Sequence, residues 1–179
     1  MKPICHFLLS IAILVIGCAQ ISSAQNKTNN PPNRKTTNKP NKQERKPKVR
    51  FINPETLPKP SGYTHVVEAG RGRTIYISGQ VALDRSGNVV GRGDFRAQTE
   101  QVFENIKAGL EAAGASFKDV VKLNIYVTDI SQLQVFREMR DKYVNTENPP
   151  ASSMVEIRRL VREEFLIEID ATAVLPELK

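Results

Sequence analysis

Cysteine occurs at two positions, Cys5 and Cys18, both within the first 24 of the chain's 179 residues, and tryptophan does not occur at all. Beyond residue 24 no disulfide, thiolate nucleophile or cysteine-rich zinc site can therefore be built. Histidine is nearly as scarce, since His6 lies in the same leading segment and His65 is the one other. A Ser-His-Asp triad or a multi-histidine metal centre would have to pass through that single residue, so neither is expected. No lysine stands in a recognisable cofactor motif, and neither a cofactor nor a metal is expected. Acidic side chains are missing from one stretch, for only Glu44 of the 19 acids precedes Phe51, against 10 of the 26 basic residues. The formal charge of +7 belongs to that stretch, because from Phe51 onward 16 basic residues face 18 acidic ones. A nucleic acid would have to be bound by the leading segment alone, and no specific one is expected.

Long hydrophobic runs are missing too. The best is residues 7–16, well short of the roughly 20 apolar residues needed to cross a bilayer. With Lys2 ahead of it, this run reads as the core of a signal peptide over residues 1–24. Two cleavage sites compete. Val15-Ile16-Gly17-Cys18 has the pattern of a lipobox, which would leave an acylated Cys18 as a membrane anchor. Ser22-Ser23-Ala24 has the small-x-small pattern of an ordinary signal peptidase site. Either route exports the protein, to the periplasm or to a lipid-anchored place in the cell envelope.

Residues 25–50 are Asn, Lys, Thr, Pro, Arg and Gln, with Glu44 and a single apolar residue, Val49. Such a segment buries too little apolar surface to offset chain entropy, and a disordered basic linker is expected. An arm touching anionic headgroups or envelope polymers is the alternative.

The folded domain is expected over residues 51–179. His65-Val66-Val67-Glu68-Ala69 and the run 74–79 read as strands joined by a hairpin-type turn at Gly70-Arg71-Gly72-Arg73. Val89-Val90 reads as a short edge strand. Val102, Phe103, Ile106, Leu110 and Ala113 recur at helical spacing over residues 95–113, with Gly114 as the stop. Residues 120–127 alternate like a strand with one buried face. A second helix over 133–144, capped by Asp129 or Ser131, and strands over 153–160 and 165–174 complete the order ββαβαββ. Two helices on one face of a mixed sheet make this an α+β fold.

A series of spaced motifs then resembles the RidA/YjgF family over nearly all of residues 51–179. It comprises Asn53-Pro54, Tyr63-Thr64-His65, Ser78-Gly79-Gln80, Gln98 with Asn105 and Lys107, Asp119-Val120-Val121-Lys122, Tyr126-Val127-Thr128-Asp129, Pro150-Ala151 and Ile167-Glu168-Ile169-Asp170-Ala171. The resemblance implies a chorismate mutase-like fold and a homotrimer with a small-molecule cleft at each subunit interface. It also implies a chemistry, hydrolysis of reactive 2-imino and enamine acids to a keto acid and ammonia. In that chemistry Glu168 would position or activate water and Tyr63 would line the cleft. Ser78, Arg140, Ser152 and Met154 fall at further cleft positions. Three of these depart from the imine-hydrolysing type, which carries arginine at position 152, often cysteine at 154 and asparagine at 140.

An arginine grips a carboxylate through two parallel charge-assisted bonds, and a serine cannot. The chain therefore resembles the arginine-lacking subgroup, a binding protein without efficient imine deaminase activity. An active imine or enamine hydrolase, with Arg140 or backbone groups holding the acid, is the first alternative. A non-enzymatic interaction or chaperone-like role in the envelope is the second. Arg158 shares the strand face of Ser152 by parity, but it lies six residues on, roughly 20 Å at strand rise, and cannot substitute.

Overall fold

The computed structural model of the protein describes residues 48–177. The signal peptide expected over 1–24, with Cys18, and all but the last three residues of the expected linker lie outside that span. Eight main elements follow in order: β1 (Val49–Ile52), β2 (Val66–Ala69), β3 (Arg73–Gln80), α1 (Phe95–Ala112), β4 (Val120–Val127), α2 (Leu133–Arg140), β5 (Ala151–Glu156) and β6 (Ile167–Leu175).

Four strands make a mixed sheet in the order β3-β6-β4-β5, with β4 and β5 parallel and the other pairs antiparallel. Along β4 and β6 the alternation divides the two faces. Leu123, Ile125 and Val127 of β4 and Ile167, Ile169, Ala171 and Ala173 of β6 are buried towards the helices. Asn124, Tyr126, Glu168 and Asp170 point to the open face, in the period-2 pattern of a half-buried sheet.

The helical layer closes the core. Asp94 caps α1 by accepting a hydrogen bond from the Ala97 amide at 3.1 Å. Val102, Phe103, Ile106 and Leu110 form its fully buried stripe. Phe103 stacks on Tyr143 at 4.8 Å between ring centroids and on Phe136 of α2 at 6.2 Å, which ties the second helix to the first. Gly114, with φ +74°, ends α1. The Gly114 amide donates to the Glu111 carbonyl and the Ala115 amide to the Leu110 carbonyl, at 2.9 and 2.8 Å. That pair of bonds is a Schellman motif.

Several expected elements differ from those observed. The strands on either side of residues 70–72 do not form a hairpin, because β2 pairs with β1 in a separate two-stranded sheet while β3 pairs with β6. β1 begins at Val49, two residues inside the expected linker, since Val49, Phe51 and Ile52 find a partner strand in β2. Arg50 faces Glu68 across that ladder and forms an ion pair with it. Val89 makes only an isolated bridge with Leu83. α2 stops at Arg140, four residues early, and the Arg140 carbonyl accepts from both Tyr143 and Val144 in a tighter turn. β5 runs over Ala151–Glu156 rather than 153–160, and the Glu156 carboxylate turns back to accept from the Ile130 amide at 2.8 Å.

Gly114→Ala forces a side chain into the left-handed region with open space around it. The expected loss is about 1–2 kcal/mol, read from the urea midpoint at an unchanged m-value.

Candidate functional site

The residues that sequence reasoning singled out fall into two groups in the fold. The first gathers where β5 begins. The Thr64 side chain is buried and donates to the Pro149 carbonyl at 2.6 Å, while its amide donates to the Pro150 carbonyl at 3.3 Å. These bonds lay the segment carrying Gly62 and Tyr63 beside the entry to β5. Tyr63 is half-buried and meets the His65 ring edge-on at 5.2 Å. His65 in turn donates from Nε2 to the Pro58 carbonyl at 2.8 Å, and its amide is held by Asn53, so its ring serves the loop.

Arg140 enters the same region from the end of α2. Its side chain is only 9 % exposed. Nε and Nη2 both donate to Asp141 Oδ1, at 2.8 and 2.7 Å, and the guanidinium lies over the Phe136 ring. A Cβ on Gly62 would overlap the guanidinium, so the glycine, at φ +77°, is what lets the arginine pass. Nη1 has no hydrogen-bond partner among the described residues.

Ser152 and Met154 stand two strands from β6, on the edge strand, in register with Leu123 and Ile125. They therefore share the helix-side face, and Met154 packs partly against the core.

The second group is on the open face. Glu168 is the second residue of β6 and faces Tyr126 across the ladder. β3 bulges opposite the neighbouring Asp170, with a register shift between Ile77 and Gln80 that takes in Ser78 and Gly79. A Cβ on Gly79 would overlap the Glu168 carboxylate, so the bare backbone of the bulge is the seat of that carboxylate. Gln80 Nε2 caps the bulge by donating to the Ser78 carbonyl at 3.1 Å.

The two carboxylates of β6 differ in their commitments. Asp170 accepts from Asn124 Nδ2 at 2.9 Å and from the Tyr126 hydroxyl at 3.5 Å. Glu168 has no hydrogen-bond partner among the described residues. Of the two, Glu168 is the one available to a ligand. No group of three or more His, Cys, Asp or Glu side chains able to hold a metal ion occurs among the described residues.

Sequence reasoning gave Gln98 no role beyond its place in a motif. It is fully buried and bonded to both loops beside the N-terminus of α1. The signal was present, since Gln98 lies three residues after Phe95 and four before Val102, on the stripe that buries apolar side chains.

Fold and site together define a small α+β protein with a mixed four-stranded sheet, a helical layer on one face and, on the other, a carboxylate without a partner among the described residues. Comparison with known proteins makes this specific. The family model described as Endoribonuclease L-PSP matches residues 55–175. A RutC family protein of Pyrococcus horikoshii is 41 % identical over 120 residues, covering 66 % of this chain and 92 % of its own. A protein named 2-iminobutanoate/2-iminopropanoate deaminase, from Dermatophagoides farinae, is 31 % identical over 127 residues, covering 70 % of this chain and 96 % of its own. A crystal structure of a Rid family protein from Yersinia pestis superposes with a TM-score of 0.66 at 42 % identity, covering 71 % of this chain and 98 % of that one. The chain belongs to the RidA/YjgF family.

The loop that leads into β6 is held by charge. Glu164 accepts from Arg162 Nε at 2.9 Å and from Arg92 Nη1 at 2.6 Å, and these guanidiniums hold its carboxyl at about 2, below the ordinary 4.5. A carboxyl depressed by folding stabilises the fold fully above its ordinary value, and that contribution is lost as pH falls from 4.5 towards about 2. Glu164→Gln is expected to flatten the acid limb of the stability curve. Urea midpoints at pH 7 and pH 3 measure this, with the variant losing less between the two than the parent.

Proposed function

We propose that this chain is a RidA/YjgF-type small-molecule-binding protein, and that it lacks efficient imine deaminase activity. Its ligand is a small imino or keto acid, or a compound of similar shape. Ser152 carries this reading. It occupies the position at which the imine-hydrolysing type holds the substrate carboxylate with arginine, and it offers a single neutral hydroxyl. Each lost hydrogen bond to a charged group costs about 1.5–3 kcal/mol, so an imino acid binds weakly at that point.

In this reading the cleft is completed by a second copy of the chain in a homotrimer. Within one protomer Ser152 faces the helices on the edge strand, whereas Glu168 lies on the open face two strands away. Two strand spacings are about 10 Å, and the faces are opposite, so an imino acid touches both only if another subunit supplies one of them. Glu168 then places or activates a water molecule, with Ser78 beside it. Tyr63, Arg140 and Met154 line the other wall.

One observation favours a second reading, an imine or enamine hydrolase. The Arg140 guanidinium is a nearly buried cation against Gly62 with no partner on Nη1 among the described residues, and it is suited to a carboxylate. The relative named as a deaminase fits either reading, since it speaks only for its own chain.

The proposal includes export, on the strength of Lys2, the short apolar run of residues 7–16 and the two cleavage patterns. An exported protein meets a different set of small acids from those inside the cell, which accords with a changed cleft.

Hydrolysis of 2-iminopropanoate generated in situ tests the reading. The purified chain is expected to release keto acid no faster than the uncatalysed control, and Ser152→Arg is expected to raise the rate at least about tenfold, or roughly 1.4 kcal/mol. Clear turnover by the parent that Arg140→Ala abolishes would replace the first reading with the second.

A further inference from the structure

We propose that Gln98 is a positioning residue for Glu168, acting through the backbone at the entry to β6. The inference rests on reading Glu168 as the ligand-facing carboxylate. Its geometric basis is that the Gln98 carboxamide stands in for a missing strand. Oε1 accepts from the Leu166 amide at 2.8 Å, and Nε2 donates to the Glu164 carbonyl at 2.7 Å. A neighbouring strand bonds an amide and a carbonyl two residues apart in just this way. The same Nε2 also donates to the Gly91 carbonyl at 3.2 Å, which fastens the pair to the loop before α1. On the other side, the Leu166 carbonyl accepts from the Thr128 amide at 3.1 Å and from its hydroxyl at 3.4 Å.

Leu166 is thus bonded on both sides, one residue before β6 begins and two before Glu168. Strand ends fray, and a slip of one residue exchanges the two faces of a strand. For β6 such a slip would carry Glu168 from its seat at Gly79 to the apolar helix side and bring Ile167 or Ile169 out. Gln98 is completely buried, and all three of its bonds go to backbone atoms of the two loops. It hydrogen-bonds to none of Glu168, Ser78 and Ser152, so the effect on the open face passes through the strand.

The test uses the purified protein with Glu168 identified by carbon-13 NMR. Gln98→Met fills the same space without hydrogen bonds. It is expected to move the Glu168 carboxyl resonance and to speed exchange of the Glu168 amide at least about tenfold, while amides in the middle of β4 keep their protection. Gln98→Glu is the control for shape. While its carboxyl is protonated it can donate to Glu164 and accept from Leu166, and once ionised it can only accept. Compared with the parent at each pH, this variant is expected to match at low pH and to diverge as its own carboxyl ionises. If Gln98→Met does not fold, the Gln98→Glu comparison decides alone.

An unchanged Glu168 resonance in folded Gln98→Met, or a Gln98→Glu difference that does not depend on pH, overturns the proposal. Neither outcome depends on turnover. If Gln98 governs Glu168 and no imino or keto acid perturbs the Glu168 signal, the proposed ligand class is wrong and the positioning role stands.

Discussion

The pairing of β6 on both of its edges is the constraint on which the rest of the molecule depends. β6 is the one strand hydrogen-bonded to both β3 and β4, and it supplies the longest run of buried side chains in the sheet. Its inward residues meet the stripe of α1, so its register fixes which side chains join the core and which reach the open face. The bulge in β3, the seat at Gly79 and the contact with Tyr126 all follow from that one alignment. Glu168 has no hydrogen-bond partner among the described residues, and since it is only half-buried, water can still solvate its carboxylate while the ladder on either side holds the strand in register.

Charged groups near the site divide into those already engaged and those left free. Asp170, His65, Glu156 and Glu164 each hold a loop or a neighbouring strand in place. Among the described residues, Glu168 and one nitrogen of Arg140 do not. Arg140 illustrates how a buried cation is tolerated: a carboxylate of the next residue, an aromatic face beneath it and a glycine opposite share the work of replacing water. The family resemblance named most of these positions, yet it could not say which of them were already spoken for.

What the sequence made legible was local. α1 could be placed within a residue because its apolar stripe and its stop at Gly114 both lie within the helix or beside it. β4 was equally plain, since Leu123, Ile125 and Val127 alternate with polar neighbours. The errors arose where distant residues decide. Val49 read as the end of a basic stretch because its partner in β2, Ala69, lies 20 residues on. Gly70 and Gly72 look like a hairpin turn, and nothing nearby reveals that the strands on either side join different sheets. α2 ends early because Tyr143 is drawn onto Phe103, a contact across 40 residues. The two groups of site residues were likewise named singly, and only the register of β5 and β6 shows that they occupy opposite faces.

The small sheet of β1 and β2 has a mechanical consequence. Val49, the first residue of β1, lies opposite Ala69, the last of β2, and the chain passes from there almost directly into β3. A pull applied at Lys48 and resisted through β3 therefore acts on the two strands from the same end. Rungs loaded in that way open one after another, beginning at Val49 and Ala69, instead of sharing the strain as strands do when drawn past each other. The two-stranded ladder would yield first under tension, and the large sheet with its carboxylate would remain aligned while the leading strand peeled away.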